Sequence, residues 1–155
     1  DFDGIQAQAF FSQHVKFDRW LILKTLARIN LRLPKYLPLT RDYPEGQVLS
    51  WRFIVEKKAI HHFGSAGSTP EELARLGGQS TDILLVPLQG HSRIIQIAHK
   101  YVTALQPKVV IPNHQDNFFP PISTMVDPQP FAELVKQTNP DTEIKILEIN
   151  ETVAF

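Results

Sequence analysis

Two short runs, apolar throughout after an opening charged residue, constrain this chain more than anything else in its sequence: Asp82-Ile-Leu-Leu-Val-Pro-Leu88 and Lys108-Val-Val-Ile-Pro112. A strand without polar alternation is one buried on both faces, as in a sheet covered by helices. Between the two runs, Ile94, Ile95, Ala98, Val102 and Leu105 recur at helical spacing. That spacing predicts a helix that begins after Gly90 and His91 and ends near Leu105. Strand, helix and strand in this order predict a parallel pair within a layered α/β domain. In such sheets, functional residues gather on the loops beyond the strand C-termini. Three loops here have that place: Gly64–Ser68, Gln89–His91 and Asn113–Asn117.

The flanking sequence extends the pattern. Val48–Val55 and Lys58–Phe63 read as strands of a hairpin turning at Glu56-Lys57. Thr69-Pro70-Glu71-Glu72 is a strong helix start, with Thr69 as cap, Pro70 in the first turn and Glu72 closing a capping box. Gly77-Gly78 ends that helix. Asp127-Pro128 opens a last helix through Lys136, and Glu143–Ile149 reads as a final strand. Residues 46–155 therefore predict the order β-β-α-β-α-β-α-β.

Residues 1–45 read differently. Phe10, Phe17, Leu21, Ile22, Leu26 and Ile29 recur with helical spacing, and Pro34, Pro38 and Pro44 then forbid a continuing helix. Residues 1–41 carry a net charge of +4 against −4 for the rest. Two readings stay open for this basic, apolar segment: an amphipathic helix packed on the domain, or one that docks on a membrane surface or a partner.

The 155 residues suffice for one domain with a real core. A formal net charge of zero gives no global bias toward nucleic acid or acidic lipid. The basic residues lack the aromatic interleaving of a single-strand groove, so no nucleic-acid partner is expected. Cysteine is absent, which excludes disulfides, thiolate metal sites and a Cys nucleophile. No apolar run is long enough to span a bilayer, and the opening Asp-Phe-Asp-Gly-Ile does not resemble a signal peptide. A cytoplasmic protein is expected, with this chain beginning inside a longer one.

Among residues able to carry chemistry, His114 leads, because a rigid apolar strand delivers it at its end. A neutral imidazole there can ligate a divalent ion while a carboxylate orients its other nitrogen, and Asp116 is close enough in sequence to do so. A loop-stabilising histidine is the alternative. His91, at a helix start, could cap the helix or touch substrate. His61 and His62 are adjacent on a strand and point to opposite faces, so they do not easily serve one metal. Ser65 lies among small residues that permit close approach of a ligand, but Gly64-Ser65-Ala66-Gly67 is not a nucleophile elbow. His14 and His99 read as structural or solvated.

Taken together, the hairpin ending in Ile60-His61-His62-Phe63-Gly64-Ser65-Ala66-Gly67, the acidic start Glu71-Glu72-Leu73, the run from Asp82 to Pro87 leading to Gly90-His91, and Gln106-Pro107-Lys108-Val109-Val110-Ile111-Pro112-Asn113-His114 resemble the second half of the metallo-β-lactamase superfamily. The resemblance covers roughly residues 46–150 and is nearest the metal-dependent hydrolase and lactonase-like branch. It implies an α/β fold: half of a four-layer αββα sandwich, a mixed sheet with helices on its outer face. It implies a divalent metal, zinc first and manganese or iron as alternatives, with His114 as ligand. It places Ser65 where the family has a bridging Asp, and serine is a poor ligand for such an ion. The family's His-x-His-x-Asp-His motif is nowhere in the chain. The resemblance thus implies an incomplete metal site, to be completed by a missing N-terminal half or a partner chain, for hydrolysis of an ester, lactone, amide or phosphoester. His91 and Asp116 would take supporting catalytic roles, and Ser65, Gly90, Phe118 and Phe119 would meet a small-molecule substrate. The other reading is a non-catalytic binding module with a degenerate site.

Overall fold

The computed structural model describes residues 4–26, 46–117, 120 and 123–155. Phe118 and Phe119, and the proline-rich stretch up to residue 45, lie outside the described residues. In chain order the elements are β1 (Gln6–Ser12), α1 (Arg19–Leu26), β2 (Val48–Val55), β3 (Lys58–Phe63), α2 (Pro70–Leu76), β4 (Ile83–Pro87), α3 (Ile94–Leu105), β5 (Val109–Asn113), α4 (Gln129–Thr138) and β6 (Glu143–Ile144). The strands form one six-stranded sheet in the order β1-β2-β3-β4-β5-β6. The β1–β2 and β2–β3 pairs are antiparallel, and β3 through β6 pair in parallel. The hairpin, the two apolar strands and their connecting helix stand where the sequence predicts them.

The local reasons are legible. The β2–β3 turn is made by Glu56 (φ 49°) and Lys57 (φ 66°), both left-handed as a two-residue hairpin requires. At α2, Thr69 Oγ1 accepts from the Glu72 N–H at 3.3 Å, as predicted. The reciprocal half of the capping box does not form. The Glu72 side chain turns inward instead, where its carboxylate accepts from the Ser12 hydroxyl and, at 2.8 Å, from the Tyr101 hydroxyl. Burial beside Glu72 pushes the Tyr101 hydroxyl well above the ordinary tyrosine range.

Two expectations are corrected. Residues 6–12 are a strand rather than part of a helix, because their backbone groups pair along the whole of β2, from Gln6 opposite Ile54 to Ser12 opposite Val48. Within the described residues the helix runs over Arg19–Leu26, where the Asp18 carboxylate accepts from the Leu21 N–H and the Asp18 carbonyl from the Ile22 N–H. The final strand is only Glu143–Ile144, because a local turn that bonds the Glu148 N–H to the Glu151 carboxylate takes over the chain.

The sheet has two unlike faces. On one, Phe63, Leu84, Val86 and Val110 pack against α2, α3 and α4, with Tyr101, Phe131 and Val135 fully buried. Phe63 and Tyr101 meet with ring centroids 4.3 Å apart. Burial of this kind contributes about 2–3 kcal/mol for each large side chain. The other face carries Phe11, Leu49, Trp51 and Phe53 in register, with Trp51 stacked on Phe53. Phe11, Leu49 and Trp51 are exposed there.

Candidate functional site

Strands β1, β3, β4 and β5 run in one direction, so their C-terminal ends reach one edge of the sheet. A cleft of about 80 Å³ lies along that edge. Each predicted loop contributes to it: Gly64 and Ser65 after β3, Gln89 and Gly90 after β4, whose last residue Pro87 also lines it, and His114 after β5. Ser65, Gly90 and His114 thus line one cleft.

The fourth strand end was missed by sequence reasoning. His14 follows β1 as His114 follows β5, and it lines the same cleft together with Val15, Phe17 and Leu21. Its Nδ1–H donates to the Val15 carbonyl at 2.8 Å, which leaves the lone pair on Nε2. Reading Gln6–Ser12 as a strand would have found it, since Gln6-Ala7-Gln8-Ala9 alternates polar and apolar residues with period two.

The N-terminal segment is seated closely over these loops. The Ser65 hydroxyl accepts from the Val15 N–H at 2.9 Å, and both residues are buried. Gly90 has φ +97°, and a Cβ placed there would stand 2.5 Å from Val15 Cγ1. A Cβ on Gly67 would stand 2.4 Å from the Gln13 carbonyl oxygen. These two glycines let the Gln13 backbone and the Val15 side chain approach the loops. Beyond Val15, the Asp18 carboxylate accepts from both the hydroxyl and the N–H of Ser92, at 2.6 and 3.1 Å. The Ser92 hydroxyl, with smaller help from the Ser92 N–H and His91, lowers the Asp18 carboxyl to about 2.

His114 has φ 51°, a left-handed conformation that is costly for a non-glycine residue and recurs at functional sites. Its Nδ1 faces the Asp116 carboxylate at 3.3 Å. Gln89 Nε2 donates to the carbonyls of Asp116 and Thr124, at 3.0 and 2.9 Å, and so ties the β4 loop to the β5 loop. His91 does not line the cleft: its Nδ1 accepts from the Arg93 N–H at 2.9 Å, at the start of α3. His61 is fully buried under the helices. Its Nδ1–H donates to the Thr81 hydroxyl, and burial, then the nearby Arg52, lowers the ring to about 4. His99 bonds Thr138 and Asn139 on the far side of α3.

Among the described residues, no group of three or more His, Asp or Glu side chains is placed to hold a metal ion. The cleft offers two imidazoles, and the Ser65 hydroxyl beside them is engaged with backbone.

The model of the Beta-lactamase superfamily domain matches residues 34–114, just over half of the chain. The chain belongs to the metallo-β-lactamase superfamily. Similar proteins include a UPF0173 metal-dependent hydrolase of Staphylothermus marinus, 32% identical over 124 residues, covering 79% of this chain and 50% of that protein. Another, of the same name, comes from Hyperthermus butylicus and is 31% identical, covering 82% of this chain and 54% of its own length. The chain spans about half the length of the curated relatives it matches. Among solved structures, an isothiocyanate hydrolase from Delia radicum gut bacteria superposes with a TM-score of 0.61 at 14% identity, over 100% of this chain and 56% of that one. A metallo-β-lactamase superfamily protein from Thermotoga maritima gives 0.55 at 16% identity, over 93% and 65%. Both show the shared mixed α/β fold.

Proposed function

We propose that this chain carries part of the cleft of a metal-dependent hydrolase acting on an ester, lactone, amide or phosphoester of a small molecule. The single observation that carries the reading is the convergence of His14 and His114 on one cleft at the C-terminal edge of the sheet. Each ring has its Nδ1 facing an oxygen, the Val15 carbonyl for His14 and the Asp116 carboxylate for His114. That is the arrangement that turns Nε2 toward an ion. With no cysteine in the chain and no carboxylate cluster near the cleft among the described residues, a borderline ion such as zinc suits imidazole best, with manganese or iron as alternatives. In a complete site such an ion would supply hydroxide near neutral pH.

The remaining ligands would come from outside these residues, from a missing N-terminal half or a partner chain. The apolar sheet face bearing Phe11, Leu49 and Trp51 supports this, because it suits a second sheet packed face to face in an αββα sandwich. In this reading Asp116 orients His114. Gly90 and Ser65 seat the segment bearing His14 and border the substrate. His91 supports the cleft through the start of α3.

Zinc titration of the isolated chain tests the proposal. Weak binding that falls at least tenfold in His14→Ala and in His114→Ala is the expected result, with no hydrolysis. Tight stoichiometric zinc together with hydrolysis would overturn the incomplete site. Binding indifferent to both substitutions would remove the metal reading altogether. One observation favours a non-catalytic binding module instead: the Ser65 hydroxyl is committed to the Val15 backbone. Metal binding indifferent to both histidines would favour that module.

A further inference from the structure

We infer that α1 is a docking element for an anionic lipid surface. Large apolar side chains point both to the cleft side and to the outer side of this helix. Leu21 turns inward to the cleft, while Trp20, Ile22 and Leu23 point outward and are 60%, 46% and 56% exposed. Large apolar side chains clustered on an outward helix surface mark an interaction site. Phe17, 53% exposed, extends the patch from the preceding turn.

Charge selects the occupant. Lys16, Arg19 and Lys24 are exposed among these apolar residues, and the only acidic side chain in the segment, Asp18, is tied to Ser92. Cations flanking Trp and Leu match a bilayer interface, where the apolar groups enter the acyl boundary and the long basic side chains reach the phosphates. A protein groove would not require three exposed cations around its apolar anchor. Among the described residues no helix is long and apolar enough to cross a membrane, so α1 would lie on the surface rather than span it. Phe17 belongs both to the patch and to the cleft lining, which places the cleft mouth beside the docked surface.

Vesicle flotation of the full chain tests this without reference to any metal, so its outcome is separate from that of the hydrolase reading. The chain should float with phosphatidylcholine vesicles that contain phosphatidylserine, and much less with phosphatidylcholine alone or in high salt. Replacing Lys16, Arg19 and Lys24 by Gln should weaken binding about fivefold per cation. Trp20→Ser with Leu23→Ser should abolish it, while Phe11→Ser with Trp51→Ser on the sheet face should leave it. Circular dichroism confirms that each variant folds. Three results would overturn the inference: no flotation with anionic vesicles, flotation lost through the sheet-face pair but not the α1 pair, or a wild-type oligomer that the α1 pair converts to monomer.

Discussion

The β4–α3–β5 unit and the N-terminal segment of residues 4–26 meet at one cleft but are held in place by different physics. In β4–α3–β5, each element follows from its own residues: apolar strands, a helix with apolar positions at helical spacing, and a core of fully buried side chains. The N-terminal segment has little core of its own. Val15 is its buried apolar residue in the described core, and the segment otherwise depends on the β2 ladder, Ser65, Gly90 and Ser92. One unit is stabilised by apolar volume, the other by a few directional contacts. The first should therefore fail globally and the second locally.

The largest expected effect tests the core. Phe131→Ala removes a fully buried ring between α4 and the sheet and should cost about 3–5 kcal/mol in denaturant melts. A cost near zero would mean that the covered face is not the stabilising one.

Next comes pH. The folded chain holds His61 near 4 against an ordinary 6.5, so the unfolded chain takes up the proton first. The stability that this group contributes is complete above pH 6.5 and is lost as pH falls toward 4, by about 3 kcal/mol in all. Urea melts across that range should show the loss, and His61→Gln should flatten it.

A smaller effect belongs to the seat of the N-terminal segment. Gly90→Ala puts a methyl against Val15 in a left-handed backbone and should cost about 1–3 kcal/mol. Hydrogen exchange should quicken at the Val15 amide while the α3 amides keep their protection. If α3 loosens equally, the two regions are one cooperative unit and the contrast between them fails. The smallest effect is Ser65→Ala, which leaves the buried Val15 N–H without its acceptor, at about 1–2 kcal/mol. Exchange at the same amide reports it.

The same contrast decides what could be read in advance. Apolar runs and the Thr69-Pro70 start made β4, α3, β5 and α2 legible, and with them the strand-end position of Ser65, Gly90 and His114. His14 was not legible, because it depends on β1 being a strand, and the apolar spacing around Phe10, Phe17 and Leu21 resembles a helix as readily. The inward turn of Glu72 was hidden for a related reason: its partners Ser12 and Tyr101 lie 60 and 29 residues away.

By itself the sequence determined the layered α/β order, the absence of thiol chemistry and the family resemblance, since periodicity, composition and motif spacing are local properties. Only the tertiary structure decided that His14 joins His114, that Val15 fits against Gly90, and that one sheet face is covered while the other presents Phe11 and Trp51. Those outcomes depend on which distant backbone groups pair, and pairing energy does not appear in any short window of residues.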